Sequence, residues 1–200
     1  INSDLSNDLG NLLNRIIGMS GKYSDFHIDS KDVERLHAKE LSEMNTVIDN
    51  LEKFLDELQT NRYLEELWKL LSIGNKAIEE NAPWGKMKED KKDEALATVA
   101  LIANILAKAS VMLNCIITNT PTTISEALGF EINTEAYTSL ILEKKLLKPF
   151  VITQVPPLFP RVEEPLMEQA PASEPEPKVK ETKKAEEQSE SKEEDNLITI

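Results

Sequence analysis

The sequence predicts an all-α fold, a bundle of long helices with a polar tail. Three observations lead there: apolar residues recur at helical spacing through most of the first 120 positions, one 26-residue stretch from Lys92 to Ile117 is rich in alanine and apolar almost all round, and Pro, Glu, Lys and Ser dominate after Glu163. At 200 residues with 40% hydrophobic content, the chain holds one moderate domain plus an appendage.

The first helix is expected over residues 3 to 19, where Leu5, Leu9, Leu12, Leu13 and Ile16 form one face. Gly18 and Gly21 are expected to loosen it. At about 100° per residue, Asn11 and Arg15 lie about 40° apart and nearly opposite the apolar stripe, so both point outward. A second helix is predicted from Asp32 to Leu58, capped by Asp29 or Ser30, with Leu41, Met44, Val47, Ile48, Leu51, Phe54, Leu55 and Leu58 as its buried face.

A third helix is predicted from Thr60 to Asn81, ended by Pro83, which removes a backbone donor and biases the preceding residues away from helical geometry. Trp84 is thereby presented where the chain turns. A lysine-rich polar turn follows at Gly85 to Asp90. The fourth helix, Lys92 to Ile117, reads as central and well buried. Thr123-Ile124-Ser125-Glu126 has capping-box spacing and opens a short helix that ends near Gly129; another short helix is expected from Glu135 to Glu143. Phe150 to Thr153 and the proline-rich run to Arg161 read as extended chain.

This divides the chain into a helical bundle over 1–130, a closing helix and extended segment over 131–162, a disordered charged linker over 163–196, and an apolar start at 197–200 of a further domain. The linker carries 12 acidic residues against five lysines, so −7 of the net charge of −13 belongs to it. The acidic balance is therefore weak testimony against nucleic-acid binding by a local surface.

No apolar stretch reads as the roughly 18 residues needed to span a bilayer, and no basic-then-apolar leader is present. Both ends read as cut. A cytoplasmic location without membrane contact is the expectation. Cys115, the only cysteine, lies in an apolar helix and is expected to be buried; His27 and His37 lack cysteine partners at zinc spacing, so no metal is expected.

Two segments carry the chemistry: Asn7-Asp8-Leu9-Gly10-Asn11-Leu12-Leu13-Asn14-Arg15, and Asn75-Lys76-Ala77-Ile78-Glu79-Glu80-Asn81-Ala82-Pro83-Trp84. An amide and a guanidinium four residues apart can read a base edge, and an exposed indole can stack on an unpaired base. Bland uses stand beside these: Arg15 can pair with Asp8 or Asp4, Trp84 can plug the bundle, and the lysines at 86 to 92 can simply solvate a turn. Trp68, inside the third helix, reads as packing.

With Pro157-Leu158-Phe159-Pro160-Arg161, these segments occur in the order seen in methionyl-tRNA synthetases, and residues 1–162 resemble the anticodon-binding helical bundle of those class I aminoacyl-tRNA synthetases. The resemblance implies recognition of the CAU anticodon of methionine and initiator tRNA. Asn11 and Arg15 match the family's anticodon-reading pair, Trp84 preceded by Pro83 matches its stacking indole, and Lys86 and Lys88 are candidate phosphate contacts. It implies no catalysis and no cofactor in this segment. The His-Ile-Gly-His and Lys-Met-Ser-Lys-Ser signatures, with ATP and magnesium, would belong to other parts of the intact ligase.

The family's Tyr-Pro-Phe-Met-Pro run is replaced here by Asn114 to Pro121, of which only Pro121 matches. Leu197-Ile198-Thr199-Ile200 resembles the start of an oligonucleotide-binding barrel that often dimerises. Synthetases for leucine, valine, isoleucine and cysteine share the bundle, and a helical protein-interaction scaffold with an acidic tail is the alternative from another class.

Overall fold

The computed structural model describes residues 5–159, with only the backbone of residues 5–7. These belong to one compact unit, Ile1–Arg161; the proposed linker and the 197–200 segment lie outside the described residues. A π-helical stretch Leu5–Gly10 leads straight into α1 (Asn11–Ser24), because Gly10 itself keeps right-handed helical geometry. Leu9, Leu12, Leu13 and Ile16 are buried as the spacing predicts.

Neither Gly18 nor Gly21 breaks α1. Gly21 serves packing instead: a Cβ there would stand 2.6 Å from the Phe26 ring. After α1, Asp25 and Phe26 take left-handed geometry and turn the chain into β1 (His27–Ile28). This two-residue strand is the first half of an antiparallel pair closed much later in the sequence.

The predicted second helix is two helices, α2 (Val33–Leu36) and α3 (Ala38–Asp56). Between them His37 leaves helical geometry, and its buried ring meets the Thr98 hydroxyl through Nε2 at 3.2 Å. Neither expected cap forms. Asp29 instead accepts the Lys31 N–H in a local turn, and the buried Ser30 hydroxyl accepts from Asn104. The last two predicted core positions are not buried: Leu55 faces outward in the last turn of α3, and the helix ends before Leu58. Leu55 is partly exposed, and Leu58, left-handed at φ 55°, is 88% exposed in the turn to α4.

Helix α4 (Thr60–Asn81) packs antiparallel along α3 and buries Tyr63, Leu67, Leu70, Leu71, Gly74 and Ile78. The Tyr63 hydroxyl donates to the Met112 carbonyl at 2.7 Å, and its burial raises the phenol far above its ordinary range. The expected polar turn at Gly85–Asp90 is mostly helix: α5 (Pro83–Lys88) starts at Pro83, whose missing N–H would have no partner in a first turn.

Helix α6 (Lys92–Leu113) is the axis, contacting α1, α4, α5 and α7, with every residue from Ala97 to Leu113 buried. By length and composition it is apolar enough to cross a membrane, contrary to the sequence expectation; 94% of its apolar window is buried inside the bundle. It ends four residues before the predicted Ile117, which leaves Cys115 exposed in the following turn rather than buried.

Helix α7 (Asn119–Ala127) starts earlier than Thr123. The Thr123 hydroxyl donates to the Asn119 carbonyl inside the helix, so the capping-box spacing is coincidental. Asn133 does cap: its Oδ1 accepts the Ala136 N–H at 2.9 Å and opens α8 (Thr134–Ala136), which continues as a π-helical turn Tyr137–Leu142. The chain then returns to β2 (Phe150–Val151), with His27 opposite Val151 and Ile28 opposite Phe150.

Two buried polar residues of α6 hold this returning segment. Asn104 donates to Ser30 Oγ and accepts the Leu147 N–H at 2.7 Å; Lys108 donates to the carbonyls of Leu140 and Lys145. Asn104→Ala orphans a buried amide, which costs about 1–3 kcal/mol, and urea unfolding of the substituted chain is expected to show a loss of that size.

Burial draws the Lys108 ammonium down to about 8. The unfolded chain keeps that proton up to about 10.4, so between the two values it binds more protons than the folded chain. Stability is therefore expected to rise with pH from about 8 toward 10.4. Comparing the pH–stability profiles of the unsubstituted chain and Lys108→Met isolates this contribution, which should vanish in the variant.

Candidate nucleic-acid interface

The outward face of α1 presents Asn11, Asn14 and Arg15, all exposed, opposite the leucines that meet the bundle. Among the described residues no carboxylate forms an ion pair with Arg15, so the bland pairing with Asp8 does not form. Asp4 lies outside the described residues.

The second segment reaches the surface by a different device. Helix α4 ends when Ala82 adopts left-handed geometry, φ 37° and ψ 64°, with its N–H still bonded to the Ile78 carbonyl at 3.0 Å. The Ala82 carbonyl then accepts the N–H groups of Gly85 and Lys86 at 2.7 and 3.2 Å, which starts α5 immediately. One residue thus terminates one helix and initiates the next. Pro83 is buried, so it offers no surface to a base and acts by directing the chain; Trp84, one position on, is 48% exposed. Trp68, by contrast, packs half-buried against the core.

The two segments meet through their neighbours. The space at Gly74 is filled by Leu12, whose Cδ1 would lie 3.4 Å from a Cβ at that position. Leu12 follows Asn11 and Gly74 precedes Asn75, so the motif helices touch directly. Beyond Gly74, α4 runs on for about 10 Å to its end at Asn81.

The two candidate phosphate contacts differ. Lys88 is exposed and has no ion-pair partner among the described residues. Lys86 is engaged on both sides: Nζ lies 3.1 Å from Asn81 Oδ1 and 3.3 Å from Glu94 Oε2, with its side chain 22% exposed. Sequence reasoning missed this arrangement, although the alternation of lysines with Glu89, Asp90, Asp93 and Glu94 was its visible signal. Nearby, Lys91 pairs with Glu89 at 2.9 Å.

A groove of 690 Å³ elsewhere is lined by Leu55, Tyr63, Cys115, Tyr137 and Leu142 among others, and includes none of the motif residues. Among the described residues no three His, Cys, Asp or Glu side chains are grouped as metal ligands. The candidate interface is therefore an open surface of side chains suited to a splayed single strand rather than an enclosed pocket.

Comparison with known proteins finds a family model described as the anticodon binding domain of methionyl tRNA ligase over residues 30–169, which takes in Trp84 and lies downstream of Asn11 and Arg15. Methionine–tRNA ligase of Campylobacter jejuni is 45% identical over 184 residues, covering 90% of this chain and 29% of that protein. The ligase of Helicobacter pylori is 33% identical over 163 residues, covering 82% and 25%. The chain thus spans less than a third of these relatives. Among solved structures, the apo form of Mycobacterium tuberculosis methionyl-tRNA synthetase shares the fold with a TM-score of 0.70 at 22% identity, covering 82% of this chain and 34% of that one.

The left-handed joint gives a stability test. Glycine adopts that geometry without the Cβ clash, whereas a β-branched residue resists it by more than about 1 kcal/mol. Ala82→Gly is expected to leave the thermal midpoint unchanged or raised, and Ala82→Val to lower it by several degrees in calorimetry.

Proposed function

Because the chain belongs to the family of anticodon-binding domains of methionyl-tRNA ligase, we propose that it reads the CAU anticodon of methionine and initiator tRNA through Asn11, Arg15 and Trp84. The observation that carries this reading is the half-exposed indole of Trp84, held directly after a one-residue joint on a helix that leaves it no slack. A rigidly presented indole offers a face for an unstacked base, on the order of 1–3 kcal/mol per base stacked.

Arg15 supports base reading in a second way. Its guanidinium is exposed beside Asn11 on the same face, so a forked donor and an amide can address neighbouring base edges without any side chain having to move out of the core. Lys88, exposed and without an ion-pair partner among the described residues, suits a backbone phosphate, which adds affinity without sequence information.

The proposal extends to the protein of which this chain spans a part: a cytoplasmic ligase that activates methionine with ATP and magnesium and transfers it to tRNA, with the chemistry in segments outside this chain. Anticodon contacts would then serve orientation, placing the far end of the tRNA in a remote active site.

Titration of the chain with RNA hairpins at low salt tests the reading. A hairpin bearing CAU should bind more tightly than the same hairpin with another anticodon. Trp84→Ala should weaken CAU binding at least about tenfold. Unchanged affinity would remove the stacking role. Arg15→Lys should reduce the preference for CAU; equal losses for every anticodon would make Arg15 a phosphate contact instead.

A further inference from the structure

We propose that Lys86 is a positioning residue that clasps α5 to the bundle and thereby sets the orientation of Trp84, rather than a phosphate contact. The inference rests on the reading that Trp84 stacks on a base.

The geometry separates the two residues. Lys86 and Trp84 are two positions apart on α5, about 200° around the helix, so one faces the bundle when the other faces solvent. Their exposures agree, with the Lys86 side chain 22% exposed and Trp84 48% exposed.

The lysine also has defined partners on two other helices. Asn81, the last residue of α4, donates its Nδ2 to the Ala77 carbonyl at 2.9 Å, which leaves its Oδ1 to accept from Lys86 Nζ. Glu94 lies in the first turn of α6, and its carbonyl accepts the Thr98 hydroxyl at 3.0 Å; Thr98 in turn meets buried His37. The ammonium therefore ties the end of α4 to the start of α6 while its own backbone belongs to α5.

A helix of six residues does not stand by itself. Its direction is set by what holds it: Pro83 buried at one end, the Ala82 carbonyl accepting from Gly85 and Lys86, and the Lys86 clasp between its neighbours. Without the clasp, α5 retains one anchored end and the indole samples more orientations, so binding an anticodon base requires ordering that the unsubstituted chain already has.

The two roles for Lys86 predict opposite signs. If Lys86 served a phosphate, removing the competing carboxylate of Glu94 would free it and tighten RNA binding. If Lys86 is a clasp, the same change loosens α5 and weakens binding.

The test uses the 200-residue chain in a Trp68→Phe background, so that Trp84 is its single indole. Acrylamide quenching without RNA reads the Trp84 environment directly, and binding of a CAU hairpin is measured across a salt series, with circular dichroism to verify folding. Lys86→Met and Glu94→Ala should each alter quenching and weaken binding by about threefold or more, with the slope of log affinity against log salt unchanged. Lys86→Arg, which can reach both partners, should restore both readouts.

Tighter binding by Glu94→Ala, or a slope reduced by about one in Lys86→Met, would make Lys86 a phosphate contact and overturn the proposal. Quenching unchanged in both variants would overturn it as well. Failure of the unsubstituted chain to bind any hairpin would overturn the anticodon reading alone, since quenching decides the clasp in the absence of RNA.

Discussion

The structure depends on one demand: a helix buried on every side must find a partner for each polar group it carries. Helix α6 is such a helix. Its apolar positions are interchangeable in the sense that many leucines and alanines would be equally dry, but Thr98, Asn104 and Lys108 are fully buried and have partners from other elements. Buried polar groups left unpaired are costly, so these contacts choose one arrangement among many that would bury similar apolar area. Asn104 and Lys108, four residues apart and hence on one face, receive the segment from Leu140 to Leu147. Thr98 receives His37 at the break between α2 and α3.

This demand reaches the surface. Helix α1, which carries Asn11 and Arg15, and helix α4, whose end leads into Trp84, lie against α6 through their leucines, so their outer faces are fixed by what their inner faces meet. Gly74 lets α1 and α4 approach through Leu12: a Cβ there would already be in van der Waals contact with Leu12 and Ile105, so a side chain longer than a methyl would have to displace them. The presentation of Asn11 and Arg15 is in this sense a by-product of core packing. Trp84 is different, because a short helix held by polar contacts, and not a long one held by leucines, carries it.

Long-range periodicity made most of the helices legible. The faces of α1, α4 and α6 follow from spacing, because a regular helix repeats its burial along its length. What escaped was decided by single residues whose conformation depends on distant partners. His37 breaks a helical pattern because its ring is drawn toward Thr98, sixty-one positions away, and no local signal announces that. Leu58 fits the apolar stripe of α3, yet the helix has ended before it, so the stripe continues in sequence but not in space. The Thr123 capping pattern fails because α7 begins one turn earlier, and Cys115 falls outside a helix that ends early. At the candidate interface the exposed pair on α1 was legible from angles alone. The engagement of Lys86 was not, since it needs three helices to be brought to one corner.

Ala82 is the entire connection between α4 and α5. Most loops carry spare chain, and their tips can drift without disturbing what they join. A connection of one residue has none, so it acts as a fixed gauge: adding or deleting a residue there would change the direction in which α5 leaves α4. Length at this point therefore carries as much information as residue type. A change of side chain near the indole alters the strength of a contact, whereas a change of length would point the indole at a different part of its ligand altogether.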